Sequence, residues 1–224
     1  MFEFVTTLGW IAAILTILLG LPQLYYTVKT KKISGVNFLS MFAFWLGLTL
    51  WVFYAGLIGN PGLPVGIANI FALTTFSLVI IFLLKYSNNK YRLSITILIS
   101  LVWALAIIFF AIMQGKGITR NNTGMLIFSA LGGSLTTFAF LPQIIKTLKS
   151  KDTTGLSILL FILGTTVNIS WTIYWGTFHH TINSSFTIST QLLPTILSFI
   201  GAIIWGTQLC LIIINKRRNK SKSQ

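Results

Sequence analysis

Acidic side chains are almost absent from this chain, which has only two of them, Glu3 and Asp152, in 224 residues. Two acids supply no paired carboxylate, and the only histidines, His179 and His180, are adjacent rather than spaced as metal ligands. No Ser/His/Asp set can be assembled from these residues. The composition therefore disfavours an enzyme and predicts no catalytic residue, no metal and no cofactor. The two histidines are expected in an outer loop in contact with water.

Cysteine and charged residues are also scarce. Cys210 is the single cysteine, so no internal disulfide is possible. Charged residues make up 8% of the chain, against roughly 25% in soluble domains, and 54% of the residues are hydrophobic. This composition excludes an ordinary soluble protein.

The chain contains seven long runs of apolar residues. They lie at about 4–27, 37–58, 62–84, 93–113, 124–145, 156–177 and 188–214. Each has roughly the 20 residues that a membrane-spanning helix needs, and none alternates as the strands of a β-barrel do. The first run lacks a basic leader region and a small-residue cleavage site, so we expect a retained helix. The sequence predicts an all-α membrane protein with seven transmembrane helices.

The basic residues are distributed unevenly between the two sides of these helices. If the N-terminus lies outside, fourteen of the sixteen lysines and arginines fall in inward segments, and only Lys116 and Arg120 do not. This positive-inside pattern predicts an outer N-terminus and a cytoplasmic C-terminus. It also explains the net charge of +14 without nucleic acid as a partner. The low acid content and short loops suggest a bacterial plasma membrane.

The phrase Leu-Pro-Gln occurs twice, at 21–23 and at 141–143. The match extends without a gap. Thr16, Thr27, Lys29, Lys31, Gly35, Leu39, Trp51, Tyr54 and Gly56 recur 120 residues later as Thr136, Thr147, Lys149, Lys151, Gly155, Leu159, Trp171, Tyr174 and Gly176. Such a repeat predicts two copies of one membrane unit, with a solute site between them.

The expected units are two triple-helix repeats, a linker and a tail. They are the first repeat at 1–86, a linker with the fourth helix at 87–122, the second repeat at 123–215 and a basic cytoplasmic tail at 216–224. Three crossings alone would invert the second copy, and one further crossing restores its direction. The sequence therefore predicts a 3+1+3 arrangement of two parallel repeats. The tail is expected to anchor the topology, and contact with anionic lipid is an alternative role.

Pro22 and Pro142 lie about 18 residues into their runs, near the inner interface. A proline inside a helix removes a backbone hydrogen bond and bends the helix. Matching bends in both copies suggest a hinge that closes the inner mouth, although a static kink would also fit. We expect Gln23 and Gln143 to cap the freed carbonyls or to contact the adjacent loop.

Trp51 and Asn69 are predicted at the same depth, about 10 Å below the outer edge. An unpaired amide is costly in hydrocarbon, so Asn69 should face the protein interior or a wet cavity. An indole can stack on the C–H face of a sugar, and an amide can bond its hydroxyls. The alternative for Trp51 is a place in the interfacial aromatic belt.

The second repeat offers a different set of polar residues. Trp171 corresponds to Trp51, and Asn168 lies on the same helix face three residues earlier. Alignment of Pro64 with Pro194 places Phe199 opposite Asn69, so the neighbouring Ser198 is a weaker candidate. The sequence therefore predicts a lopsided pocket.

Tyr54 and Tyr174 follow the two tryptophans by three residues, one turn closer to the outside. Paired phenols could close the outer mouth of a pathway. Anchoring at the membrane interface is an equally good explanation.

Two Pro-Gln phrases, each followed by a short basic loop and in register with Trp and Tyr, resemble the PQ-loop superfamily. The resemblance is to its SWEET and SemiSWEET sugar transporters and covers nearly the whole chain. It implies that the prolines are hinges, that Trp51 and Asn69 hold a sugar, and that the tyrosines close the outer mouth. The chain departs from the SWEET pattern by lacking a second Asn opposite Asn69.

The function expected from these observations is transport of a small polar solute, with a mono- or disaccharide favoured. Proton-driven carriers keep an ionisable group within the membrane, and neither acid lies there, so we expect passive alternating access. A carrier of amino acids or another small metabolite is the alternative, and a seven-helix receptor is less favoured. One chain holds both copies, so a monomer suffices, although a homo-oligomer is possible. The lipid bilayer and the solute are the expected partners.

Overall fold

The computed structural model describes residues 2–59, 62–87, 89–116, 122–181 and 188–221. These residues form nine α-helices and no strand. In chain order the helices are α1 (Phe2–Leu19), α2 (Leu21–Thr30), α3 (Phe38–Ile58), α4 (Leu63–Tyr86), α5 (Arg92–Lys116), α6 (Asn122–Phe138), α7 (Leu141–Ser150), α8 (Ile158–Thr181) and α9 (Ile188–Ser221).

Among the described residues, seven helical stretches are long and apolar enough to cross a membrane. Two of them are divided, because α1 with α2 and α6 with α7 each form one stretch. The predicted all-α architecture with seven spans is confirmed. Several boundaries differ from expectation, and two of the differences affect earlier predictions. Helix α8 extends to Thr181, so placing His179 and His180 in a loop was wrong, and α9 continues through the first part of the predicted tail.

The division of each span occurs at its Pro-Gln phrase. Helix α1 ends at Leu19 and α2 begins at Leu21, which places Pro22 in the first turn of a new helix. Backbone N–H groups in a first turn have no partner within the helix, so a proline there removes no helical hydrogen bond. Pro142 has the same place at the start of α7. The expected bend inside a continuous helix is therefore a break between two helices.

Both short helices end on a lysine with left-handed backbone. Lys31 has φ of 55° and Lys151 has φ of 56°. Their N–H groups donate to Thr27 O and Thr147 O, each at 2.9 Å, which closes the last helical turn. The chain then turns into the loops 31–37 and 151–157, named the inner loops here. We call this end of the molecule the inner end, following the predicted orientation.

The helices pack in the same way in both halves. In the first half α1 contacts α4, and α3 contacts α4; in the second half α6 contacts α9, and α8 contacts α9. Between the halves, α1 contacts α8 and α3 contacts α6. The first helix of each repeat thus packs on the second span of the other repeat. Helix α5 packs on α3 and α4.

This exchangeable pattern of contacts supports the 3+1+3 membrane arrangement and the proposed boundaries of the repeats. Both stay predictions. What the packing establishes is that equivalent helices of the two halves have equivalent neighbours, so any space along the seam is lined by both.

An aromatic cluster fills the seam on its inner side. Phe140 lies 4.2 Å from Trp205 and 5.6 Å from Phe44 between ring centroids, and Phe44 lies 5.3 Å from Trp205. Gly164 permits this packing, because a Cβ at that position would collide with the Trp205 ring. The cluster borders the space described next through Phe44.

Candidate functional site

A cavity lies between the two repeats, on the outer side of the aromatic cluster. The centre of a water molecule can move within about 60 Å³ of this cavity. A single water needs roughly 10–15 Å³ by this measure, so the cavity has room for several waters or a small solute. Its lining includes all five residues predicted to bind substrate: Trp51, Asn69, Asn168, Trp171 and Ser198.

The two matched tryptophans are held by reciprocal hydrogen bonds between the repeats. Trp51 Nε1 donates to Thr136 Oγ1 at 3.2 Å, and Trp171 Nε1 donates to Thr16 Oγ1 at 2.9 Å. Each threonine belongs to the first helix of the other repeat. The rings are thereby oriented along the cavity wall. Sequence reasoning missed the threonines as site residues, although their match across the repeats was a signal.

The two asparagines are also fixed by their helices. Asn69 Nδ2 donates to Val65 O at 2.8 Å, and Asn168 Nδ2 donates to Gly164 O at 2.8 Å. An amide has two N–H donors and a carbonyl acceptor. Asn69 is 6% exposed and lines the cavity, so its remaining bonding capacity is available to a solute there.

Asn168 packs closely against the next helix. A Cβ at Gly201 would collide with Asn168 Oδ1, so α9 approaches the amide through a glycine. Asn168 is partly buried whereas Asn69 is buried, so the two amides differ in their surroundings. The lopsided pocket itself stays a prediction.

Ser198, and not Phe199, lines the cavity on α9. Phe199 is 58% exposed on the outside of the bundle. Neighbouring helix positions point about 100° apart, so one residue decides which side chain faces inward. Aligning Pro64 with Pro194 misplaced the equivalent position, because Pro64 opens α4 whereas Pro194 lies inside α9.

Trp175 is a site residue that sequence reasoning missed. Its ring stacks with both matched indoles, with centroids 6.3 Å from Trp51 and 6.0 Å from Trp171 and interplanar angles of 18° and 24°. Its position four residues after Trp171 places it on the same helix face, which was the available signal. Its counterpart in the first repeat is Ala55.

Tyr54 and Tyr174 are buried beside this indole. Tyr54 is 0% exposed and Tyr174 is 3% exposed. Both meet the Trp175 ring edge-on, with centroids at 6.1 Å and 4.8 Å. Burial within the bundle disfavours an interfacial anchor, and the role of these phenols in closing the outer mouth stays a prediction.

At the inner end, Gln23 joins α2 to the inner loop of the second repeat. Its Nε2 donates to Gly155 O at 2.8 Å, and its Oε1 accepts from Ser157 N–H at 3.0 Å. Nε2 also donates to Thr27 Oγ1 at 3.0 Å. The fully buried amide uses its donors and its acceptor.

Gln143 makes the equivalent contacts with the first repeat. Its Nε2 donates to Gly35 O at 2.9 Å and to Thr147 Oγ1 at 3.1 Å, and its Oε1 accepts from Asn37 N–H at 2.6 Å. Of the two predicted roles for these glutamines, contact with a loop is what the structure contains, and the loop is that of the opposite repeat. Neither side chain lines the cavity.

Lys146 adds two hydrogen bonds to the contacts that Gln143 makes with the inner loop of the first repeat. Lys146 Nζ donates to Ser34 O at 2.6 Å and to Val36 O at 2.8 Å. Beside it, burial acts to raise the pKa of the Asp152 carboxyl, but hydrogen bonds from Thr154 and Ser34 and the charge of Lys146 outweigh it. The pKa of Asp152 therefore lies below its ordinary value.

Within the described residues, no group of three or more His, Cys, Asp or Glu side chains could hold a metal. The structure does not describe the side chains of His179 and His180, so their role is not tested. At the cavity and at the inner contacts, the repeats meet through polar groups.

Comparison with known proteins links this geometry to a family. The profile of the PQ loop repeat matches residues 4–61 and 124–183, which is more than half of the chain. The chain is 31% identical over 82 residues to the sugar transporter SemiSWEET of Leptospira biflexa, covering 37% of this chain and 94% of that protein. It is 40% identical over 50 residues to the sugar transporter SemiSWEET of Escherichia coli, covering 22% of this chain and 56% of that protein.

A third relative is the uncharacterized protein MJ0110 of Methanocaldococcus jannaschii. It is 38% identical over 69 residues, covering 31% of this chain and 72% of the relative. The profile matches fall once in each half, at the two segments that carry the Pro-Gln phrases. This chain is an integral membrane protein that belongs to the PQ-loop repeat family.

Proposed function

We propose that the chain is a transporter that moves a small polar solute, with a mono- or disaccharide as the favoured cargo, by passive alternating access. The observation that carries the proposal is the cavity on the seam, lined by indoles and amides from both repeats. Indole faces suit the C–H face of a sugar ring, and amides suit its hydroxyls. The similarity to two SemiSWEET proteins that are named sugar transporters supports the same class of cargo.

The two ends of the cavity supply the gates that alternating access requires. At the inner end, Gln23 and Gln143 hold each inner loop against the opposite repeat, and the helix breaks at Pro22 and Pro142 lie directly beside these contacts. Helices α2 and α7 can pivot at those breaks when the glutamine bonds open. At the outer end, Trp175 and the two tyrosines close the seam.

Transport is passive in this proposal because, among the described residues that line the cavity, none is an ionisable acid, base or histidine. Of the two acids, Glu3 begins the first span and Asp152 lies in an inner loop. Coupling to protons needs a group that changes charge inside the membrane. Uptake into protein-containing vesicles is therefore expected to be equally fast with and without a pH gradient, and acceleration by the gradient would contradict the passive mechanism.

The cargo proposal is tested by counterflow of labelled glucose in proteoliposomes. Trp51→Ala and Asn69→Ala should each reduce the rate by about tenfold or more, because each removes a group that contacts solute. Trp103→Ala is the matched control, since this indole donates to Thr74 Oγ1 at 2.9 Å outside the cavity. Unchanged glucose counterflow in both cavity variants would refute the proposed site.

Amino acids or another small metabolite are the second candidate cargo. Ser198 lies in the cavity on α9, where a second Asn would make the pocket symmetric, and this favours a less sugar-like set of contacts. A thermal-shift screen of sugars against amino acids on the purified protein separates the two. Stabilisation by amino acids alone would replace the sugar proposal.

We also propose that the N-terminus lies outside a bacterial plasma membrane and the C-terminus in the cytoplasm. The inner loops and the exposed Lys216, Arg217 and Arg218 at the end of α9 are the basic segments that favour the cytoplasmic side. One chain encloses the cavity, so a monomer is sufficient for function. The orientation is tested by placing a cysteine in an inner loop and comparing its labelling from outside, in intact cells, with its labelling in opened cells.

A further inference from the structure

Trp175 is the bulkiest asymmetric feature of the cavity. It is 2% exposed, and it belongs to the cavity lining together with Trp51 and Trp171. The equivalent position of the first repeat holds Ala55, which is fully buried and adds only a methyl group. One repeat therefore contributes an indole at a place where the other contributes almost no volume.

The ring of Trp175 stacks with the matched indoles of both repeats. Its centroid is nearly equidistant from their centroids, at 6.3 Å and 6.0 Å, and it is close to parallel with both. Trp51, Trp171 and Trp175 all line the cavity, so this ring borders the space that the two repeats share. A solute that moves along the seam between the repeats passes beside it.

Stacking of Trp175 on the matched indoles also reduces the indole surface that a solute can contact. An aromatic ring or a sugar ring stacks on the face of an indole in van der Waals contact. Trp175 covers part of each matched indole in this way. A solute can therefore contact only the parts of these indoles that border the cavity beside Asn69 and Asn168.

On the inner side, the described residues leave no comparable space for a second ring. Phe44 lines the cavity there and packs on Phe140 and Trp205, and the three centroid separations are 4.2–5.6 Å. A solute longer than one ring could extend only towards the outer end, into the volume that Trp175 fills.

We propose that Trp175 sets the size limit of the cargo and restricts this transporter to solutes of one sugar ring. The proposal rests on the proposed function and narrows it from mono- or disaccharides to monosaccharides. Replacing the indole with a smaller side chain should open the outer part of the cavity to a second ring.

The experiment compares counterflow of labelled glucose and labelled sucrose in proteoliposomes, and the measured quantity is the ratio of the sucrose rate to the glucose rate. The wild type should move glucose and give a ratio of about one tenth or less. The ratio should increase along the series Trp175→Phe, Trp175→Leu and Trp175→Ala, reaching on the order of tenfold above wild type. Trp103→Ala, an indole outside the cavity, should keep the wild-type ratio.

The possible outcomes separate the two proposals. Movement of neither sugar by the wild type would refute the proposed cargo. Movement of glucose with an unchanged ratio in all folded Trp175 variants would refute the size limit while the transport proposal stands, as would equal rates for both sugars in the wild type. If Trp175→Ala does not fold, the Phe and Leu variants decide by the same ratio.

Discussion

Gln23 and Gly155 are 132 positions apart in the chain and are joined by a hydrogen bond, with Gln23 Nε2 donating to Gly155 O at 2.8 Å. The same side chain accepts from Ser157 N–H at 3.0 Å. Both partners lie in the inner loop of the opposite repeat. The glutamine of the Pro-Gln phrase thus links the helix break of one repeat to the loop of the other.

Replacing this glutamine should weaken the fold. Gln23→Leu leaves the Gly155 carbonyl and the Ser157 N–H without partners in a buried place, which costs about 1–3 kcal/mol per unsatisfied group. A reduced free energy of unfolding in detergent checks this. Gln114→Leu is the control, because that part-buried amide makes one longer bond, to Gly59 O at 3.2 Å, and should lose less. Equal losses would contradict a special role for Gln23.

The bond between Trp51 and Thr136 should appear as coupling in a double-mutant cycle. Trp51→Phe removes the indole N–H, and Thr136→Val removes the hydroxyl acceptor with little change of shape. Once either group is gone, removal of the other should cost less, by about 0.5–1.5 kcal/mol. The unfolding free energies of the wild type, both single variants and the double variant measure the coupling. Strict additivity would show that the 3.2 Å contact contributes nothing.

The close approach of α3 and α6 at Gly47 should not tolerate a side chain. A Cβ there would lie 2.7 Å from Thr136 Cγ2, 2.9 Å from Thr136 N and 3.0 Å from Gly132 O. Since two of these atoms are backbone, a helix must move, and Gly47→Ala should cost about 1–3 kcal/mol in unfolding free energy.

Gly206→Ala is the matched comparison for Gly47→Ala. The nearest atom to its Cβ would be Thr165 Cγ2 at 3.8 Å, an ordinary contact. Alanine should stabilise this helix by up to about 1 kcal/mol. The thermal unfolding temperatures of the two variants should move in opposite directions, and parallel shifts would contradict the packing argument.

The Asp152 carboxylate should give the fold a dependence on acidic pH. Its pKa is lower in the folded protein than in the unfolded chain, so it stabilises the fold above the ordinary value of about 3.9. This stabilisation is lost as the pH falls through the lower folded value. Asp152→Asn should therefore decrease the unfolding temperature at neutral pH and flatten its decline in acid. An unchanged acid profile would show that the carboxylate is not responsible.

The spans could be predicted from the sequence because a bilayer imposes length and hydrophobicity on every crossing. The third run, expected at 62–84, is α4 at Leu63–Tyr86. The cavity beside the matched tryptophans could also be predicted, because the amide of Asn69 needs hydrogen-bond partners when it lies within the hydrocarbon layer. Composition and local spacing carry this kind of information.

Contacts between the repeats could not be predicted to the same extent. The partners of Trp51 and Gln23 lie far away in the chain, and a single sequence gives no distance between them. The alignment that placed Phe199, rather than the candidate Ser198, opposite Asn69 shows how an error of one position changes which side chain of a helix faces the cavity. Trp175 was missed because the comparison of repeats favours matched residues, and its counterpart is Ala55.

The single indole of Trp175 has a consequence for how such a protein can be assembled. Two identical chains that enclosed the same cavity would each bring a copy of this indole to its wall, where one ring already stacks at 6.0–6.3 Å from the matched indoles. Covalent fusion of the repeats lets one half keep alanine while the other keeps tryptophan, so one bulky group can line the cavity without a symmetry-related copy.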